Sequence, residues 1–295
     1  MSETFERLDR SLAQARHWLS MGRPEKVLDA LADAGPAATT SPDAFLLRAA
    51  AHTQLRRWEE ARQAAEDGLA LDPRDHRLLE VLGIVHWNRG DRPAAEKAFL
   101  AGLQSVPEDA HLLARYAMLV AEDGQLDKAG KLASKAAAVR PQDPLVAEVR
   151  SKIAYLAGDT KAAREISAAG LAHAPEDPHL HALTGSYLLE DGSIGRATKH
   201  HLTSASIDPG DENLRDLGRQ AKYLRNPLLR PMWFIEKVGP GKIWLAWIAI
   251  FFGLRAAGLV TIAAMLSLCY LVVVVYSWVV PPLLRRYYKL GKDDL

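Results

Sequence analysis

Prolines recur every 34 residues along this chain, at Pro73, Pro107, Pro141, Pro175 and Pro209, and the interval does not drift. Other columns keep the same phase. Ala61, Ala95, Ala129, Ala163 and Ala197 form one, and Gly90, Gly124, Gly158 and Gly192 another. Asp75, Asp109, Asp143, Asp177 and Asp211 form a third, with Ser41 in that slot one period earlier. A fixed period of this length describes a stack of like helical units, each completed by its neighbours, rather than a catalytic globule.

The unit from Asp75 to Asp109 shows how the period works. Asp75 can accept hydrogen bonds from the free amides at a helix start, where its charge also suits the dipole. Leu78, Leu79, Leu82, Val85 and Trp87 follow at helical spacing. Gly90 ends that helix, because glycine adopts the left-handed conformation cheaply. Pro93 opens a second helix whose apolar face is Ala95, Phe99 and Leu103, and Pro107 closes the unit. The alanine column, and a second small-residue column at Gly83, Ala117, Ser151 and Gly185, let helix backbones approach closely.

On Leu79, Leu82, Gly83, Ala95, Phe99, Gly102 and Pro107 the chain resembles the tetratricopeptide repeat family, over about residues 5–225. The resemblance implies an all-α solenoid of about six helix-turn-helix repeats over 1–225. An irregular first repeat is broken at Gly22 and Gly35-Pro36. Regular repeats follow at about 41–74, 75–108, 109–142, 143–176 and 177–210, with a capping helix at 211–225. Departures fall at the large aromatic positions, where Phe45, Leu79, Leu113, Ala147 and His181 replace the family's frequent tryptophan.

The resemblance also implies a groove, lined by the first helix of each repeat, that receives a protein or peptide segment. By phase it presents Leu46 and Ala50, then Glu80, Ile84, Trp87 and Asn88, then Met118 and Glu122. Glu148, Lys152 and Tyr155 follow, and then Ser186, Leu189 and Glu190. Apolar anchors among four carboxylates suit an apolar segment carrying Lys or Arg; the same charges serve equally as an ordinary solvated face. Leu46, Ala50, Glu80 and Ala114 stand where the chaperone-binding subclass carries its carboxylate-clamping lysines and asparagines, so that specialisation is not expected.

The tail differs in kind. Residues 243–280 hold one charge, Arg255. As one helix, 38 residues would extend about 57 Å, against a hydrocarbon core of about 30 Å. A break at Arg255-Ala256-Ala257-Gly258 yields a transmembrane region over 242–280, as helices of about 242–257 and 259–280. Lys222, Arg225, Arg230, Lys237 and Lys242 precede it, and Arg285, Arg286, Lys289 and Lys292 follow. Basic flanks favour the cytoplasmic face. A helical hairpin places both flanks there, with Arg255 at the far interface; a single span after an interfacial helix is the alternative. Trp233, Trp244, Trp247 and Trp278 are the expected interface residues, 226–241 is a juxtamembrane linker, and 281–295 is a basic cytoplasmic tail.

Charge agrees with this division. Residues 226–295 hold eight Lys/Arg and three Asp/Glu, leaving 29 and 33 before them, so the tail carries +5 and the body −4. No basic stripe suggests nucleic acid as a partner. Met1 to Arg10 has no apolar core of a secretory signal, and the lone Cys269 can form no internal disulfide. An alanine- and arginine-rich composition looks bacterial, although a eukaryotic tail-anchored adaptor would read much the same; with the basic flanks it leads to the expectation of a bacterial inner membrane with the repeats in the cytoplasm. Phosphate-loop, His-Glu-x-x-His and CxxC patterns do not occur, so no cofactor and no catalytic residue is expected. His173, His179, His181, His200 and His201 cluster in sequence, but their helical spacing lets at most His181 and His201 meet, so no metal site is expected. The function these features imply is a membrane-anchored scaffold that recruits a protein through its groove. The alternative is a structural subunit of a membrane complex.

Overall fold

The computed structural model describes residues 2–229, 231 and 237–290. All regular structure among them is helical. The chain divides into two compact units, Met1–His173 and Ala174–Leu295.

The first unit holds five helix pairs: α1 (Ser2–Ser20) with α2 (Pro24–Asp33), α3 (Pro42–Gln54) with α4 (Trp58–Leu71), and α5 (His76–Asn88) with α6 (Arg92–Ser105). Then come α7 (Ala110–Glu122) with α8 (Leu126–Val139), and α9 (Pro144–Leu156) with α10 (Thr160–His173). The expected breaks are present, as a turn at Gly22 and a 3-10 segment at Gly35–Thr40.

The Asp column caps these helices as its chemistry requires. Asp75 accepts from the Arg77 amide at 2.9 Å and Asp109 from Leu112 at 2.9 Å, while Ser41 accepts from Ala44 at 3.3 Å. Each such cap contributes about 1 kcal/mol. Burial pushes the Asp75 carboxyl up, but bonds from the Arg77 side chain and from the Arg77 and Leu78 amides hold it below the usual carboxylate range. Gly90, Gly124 and Gly158 follow the first helix of their pairs at φ 81°, 80° and 84°. The same slot one period earlier is Arg56, at φ 54°.

Small residues set the spacing. Ala61, Ala95, Ala129 and Ala163 are fully buried between helices. The Phe99 ring, also fully buried, covers Gly83 so closely that a Cβ there would meet it at 2.4 Å. Phe99 joins Leu112, Leu119, Val146 and Ile153 in one core cluster that runs from α6 into α9. Successive first helices touch one another: α3 on α5, α5 on α7, α7 on α9. The second helices α4, α6 and α8 pack instead on the first helix that follows each. First helices therefore form one continuous row of the array.

The second unit contains α11 (Pro178–Glu190) paired with α12 (Ile194–Ile207), then α13 (Glu212–Leu224), α14 (Pro240–Ala256) and α15 (Val260–Tyr288). Asp177 and Asp211 cap α11 and α13, accepting at 2.8 Å from Leu180 and 2.7 Å from Asn213. The apolar tail breaks where the sequence indicates, with Gly258 at φ 78°. Trp247 of α14 stacks on Tyr270 of α15 with centroids 4.8 Å apart, so the two helices lie side by side. Among the described residues only α15 has the length and apolarity to cross a membrane, with 29 residues, mean hydropathy 2.2 and 6% of its most apolar window buried. α14 has 17 residues, which gives one candidate span where the sequence suggested two.

α15 also runs past the end at 280 that the sequence suggested, through Pro281 and Pro282. Contacts with the helical array accompany this extension. The Tyr288 ring meets Tyr223 of α13 edge-on at 6.4 Å, Asn226 Nδ2 donates to Tyr288 Oη at 3.3 Å, and Tyr276 Oη donates to the Leu228 carbonyl at 2.6 Å.

Candidate functional site

Most of the residues that the sequence assigns to a groove lie on the first helices of the first unit. Ile84, Trp87 and Met118 pack against the main core while remaining partly open. Glu80, Glu148 and Lys152 are half-buried, and Asn88, Glu122 and Tyr155 are exposed. The Asn88 amide donates to the Ile84 carbonyl at 2.9 Å, so it closes its own helix end.

The carboxylates are not bare charges. Trp87 Nε1 donates to Glu122 Oε2 at 2.9 Å, from α5 to α7, and the Arg92 guanidinium reaches the same oxygen at 2.9 Å while also pairing with Asp123. Lys152 pairs with Glu148 one turn away at 2.6 Å. Glu80 lies 3.8 Å from Arg115; burial raises its pKa, against the pull of Arg115 and the nearby His111. Three carboxylates that the sequence offered to a basic ligand thus already have a cation from this chain. Period and phase locate the residues, but they cannot foresee Arg92 and Arg115, whose partners lie a full repeat away.

A line of paired polar side chains runs along the helix starts of the same unit. Arg77 bridges Asp75 at 2.8 Å and Asp43 at 2.9 Å, His76 lies 3.5 Å from Asp109, and His111 lies 2.9 Å from Asp143. Asp109 and Asp143 therefore serve twice, once for their own helix and once for the preceding repeat. Sequence reasoning found the first role and missed the second.

In the second unit Ser186 and Leu189 are half-buried and Glu190 is exposed on α11. The histidines meet in a different pair from the one expected. His181 Nδ1 lies 2.9 Å from His200 Nδ1, not beside His201, because His201 turns inward and is 1% exposed against Gly185. His181 Nε2 also lies 3.0 Å from the Pro175 carbonyl, an acceptor only. Nε2 of His181 therefore carries a proton, and in the neutral pair His200 Nδ1 donates to His181. Among the described residues no group of three metal-ligating side chains forms.

At the tail, Trp244 and Trp278 are exposed, Trp278 at 77%, while Trp247 is held in its stack on Tyr270. Arg255 is exposed at the last turn of α14. Trp233 lies outside the described residues.

Residues 80–144 match the tetratricopeptide repeat family in sequence. No curated protein sequence matches the chain. Solved structures agree on the fold. A tetratricopeptide repeat protein from Parabacteroides merdae superposes with TM-score 0.56 at 15% identity, over 74% of this chain and 99% of that one. A thermophilic protein of the same repeat type from Thermus thermophilus gives 0.57 at 19%, over 62% and 99%. PilF of Pseudomonas aeruginosa gives 0.52 at 18%, over 75% and 99%. At such identities the likeness shows the fold alone, and that fold is a tetratricopeptide repeat solenoid followed by one apolar candidate span.

Proposed function

We propose that this tetratricopeptide repeat protein is a membrane-anchored adaptor, holding its repeats at the cytoplasmic face of a bacterial inner membrane and recruiting a protein partner along the first helices of its repeats. The repeat fold supports a protein-interaction role in general. The observation that carries the finer reading is the row of partly open apolar side chains Ile84, Trp87 and Met118 on α5 and α7. Partly covered apolar anchors along a row of helices are what an apolar or helical segment can pack against. The flanking carboxylates would orient a basic residue of that segment by displacing Arg92 or Lys152 from their partners. Anchoring is supported by α15, whose apolar surface the protein itself leaves uncovered.

A second reading, a structural subunit of a membrane complex, is favoured by one observation. The end of α15 packs directly on α13, which would transmit contacts made in the bilayer to the repeats.

The test recovers partners of the full chain from native membranes by cross-linking and mass spectrometry. Replacing Ile84 and Met118 by Asp, with charge reversal at Glu80, Glu122, Glu148 and Glu190, is expected to abolish recovery. Unchanged recovery removes the groove as the binding surface, and loss on deleting 240–290 alone favours the subunit reading. A deletion protein that stays in the membrane removes the anchor.

A further inference from the structure

We propose that the last turns of α15 bind the headgroup of an anionic, hydroxyl-bearing phospholipid, with Arg285 and Arg286 gripping its phosphate. This rests on the reading of α15 as a membrane span.

A cleft of about 610 Å³ lies on the final turns of α15, lined by Trp278, Pro281, Pro282, Arg285 and Arg286, with Leu290 folded back over it. Lys289 makes that fold-back by adopting the left-handed conformation at φ 57°. The lining residues recur at helical spacing, so they share one face. Arg285 Nε is shielded from solvent with no hydrogen-bond partner. Among the described residues no ion pair or hydrogen bond engages either guanidinium. Two planar forks on one wall, with no partner among the described residues, match the oxygens of a phosphodiester, which accept paired N–H bonds.

Depth places these groups among lipid headgroups. Trp278, exposed on the helix, belongs at the boundary between hydrocarbon and water. Arg285 and Arg286 lie about 10–12 Å farther along the axis. Helical side chains lean toward the helix N-terminus, which here is the membrane side, so both guanidiniums reach back into the headgroup layer.

The prolines supply the other half of the site. Pro281 and Pro282 have no amide hydrogen, so the carbonyls of Ser277 and Trp278, four residues earlier, lose their helical donors. Carbonyls without a helical donor beside the guanidiniums suit a headgroup that brings its own O–H donors next to its phosphate. Phosphatidylglycerol has this chemistry; phosphatidylcholine has neither the net charge nor the donors.

The full chain is purified in mild detergent, given equal amounts of phosphatidylglycerol and phosphatidylcholine, and the retained lipids are counted by native mass spectrometry. Retention is expected to favour phosphatidylglycerol by about tenfold. The double variant Arg285→Gln/Arg286→Gln should lose the preference. Arg285→Lys/Arg286→Lys, which keeps the charge but not the fork, should retain part of it. Equal retention by the native protein, or an unchanged preference in the Gln variant, overturns the site. Displacement of the lipid by millimolar inorganic phosphate assigns the cleft to a soluble anion and overturns the lipid. Flotation of the same preparations with phosphatidylcholine vesicles separates the two readings. Failure to float sinks the span, whereas flotation without lipid preference sinks only the headgroup site.

Discussion

The imidazole of His201 lies against Gly185 as tightly as the Phe99 ring lies against Gly83; a Cβ on these glycines would meet the rings at 2.2 Å and 2.4 Å. The two pairs occupy the same phase of the repeat. Where one repeat uses a hydrocarbon ring to fill the space beneath a first helix, the last repeat uses a titratable one, and burial pushes its pKa below the ordinary histidine range.

The last repeat should therefore weaken in acid. A buried neutral imidazole binds fewer protons when folded than when unfolded, so its stabilising contribution is complete above about pH 6.5 and declines as pH falls toward the lowered folded value. His200, also lowered by burial and then by His181, Lys199 and Arg196, adds in the same direction. Hydrogen exchange of α11 and α12 between pH 7.5 and 5.5 should show this loss. His201→Phe should reduce it; an unaltered pH profile in that variant would show that His201 is not responsible.

Gly83→Ala should destabilise the first unit by about 1–3 kcal/mol, the usual cost of overpacking a filled core. The added methyl has nowhere to go but into the Phe99 ring, which is itself fully buried. Denaturant titration of the two proteins measures the difference. A matching midpoint would mean that the ring moves aside freely.

Arg56→Gly is expected to stabilise. Arg56 adopts φ 54° in a column otherwise held by glycines, and a left-handed non-glycine residue costs about 1 kcal/mol. The gain should appear as a higher unfolding midpoint with an unchanged denaturant slope.

Trp87 and Glu122 should be energetically coupled. A double-mutant cycle of Trp87→Phe and Glu122→Gln should give about 1 kcal/mol, the worth of one hydrogen bond to a charged acceptor, reduced by exposure. A coupling near zero would mean that Arg92 alone holds the carboxylate.

Much of this architecture is local, and the local part was legible. A capping aspartate or a buried alanine needs only the residues within one helical turn or one packed pair, and the period repeats that requirement down the chain. Residues that depend on helix rotation were not legible. Counting along the helices favoured His181 with His201, yet the close packing against Gly185 turns His201 inward and leaves His200 to meet His181. The Trp87–Glu122 and Arg92–Glu122 contacts span 35 and 30 residues and depend on how far one repeat turns relative to the next. No column of the sequence carries that angle. The extension of α15 through two prolines was hidden for another reason: contacts with Tyr223 and Asn226 favour a segment that its own composition would end.

Tyr288 and Tyr276 tie α15 to α13 and to Leu228, so this helix is held directly against the last helix of the array. A tilt of the apolar helix, whether from bilayer thickness or from a neighbour in the lipid, would swing α13 with it. If α15 spans a membrane as proposed, α13 would register mechanical changes in the bilayer.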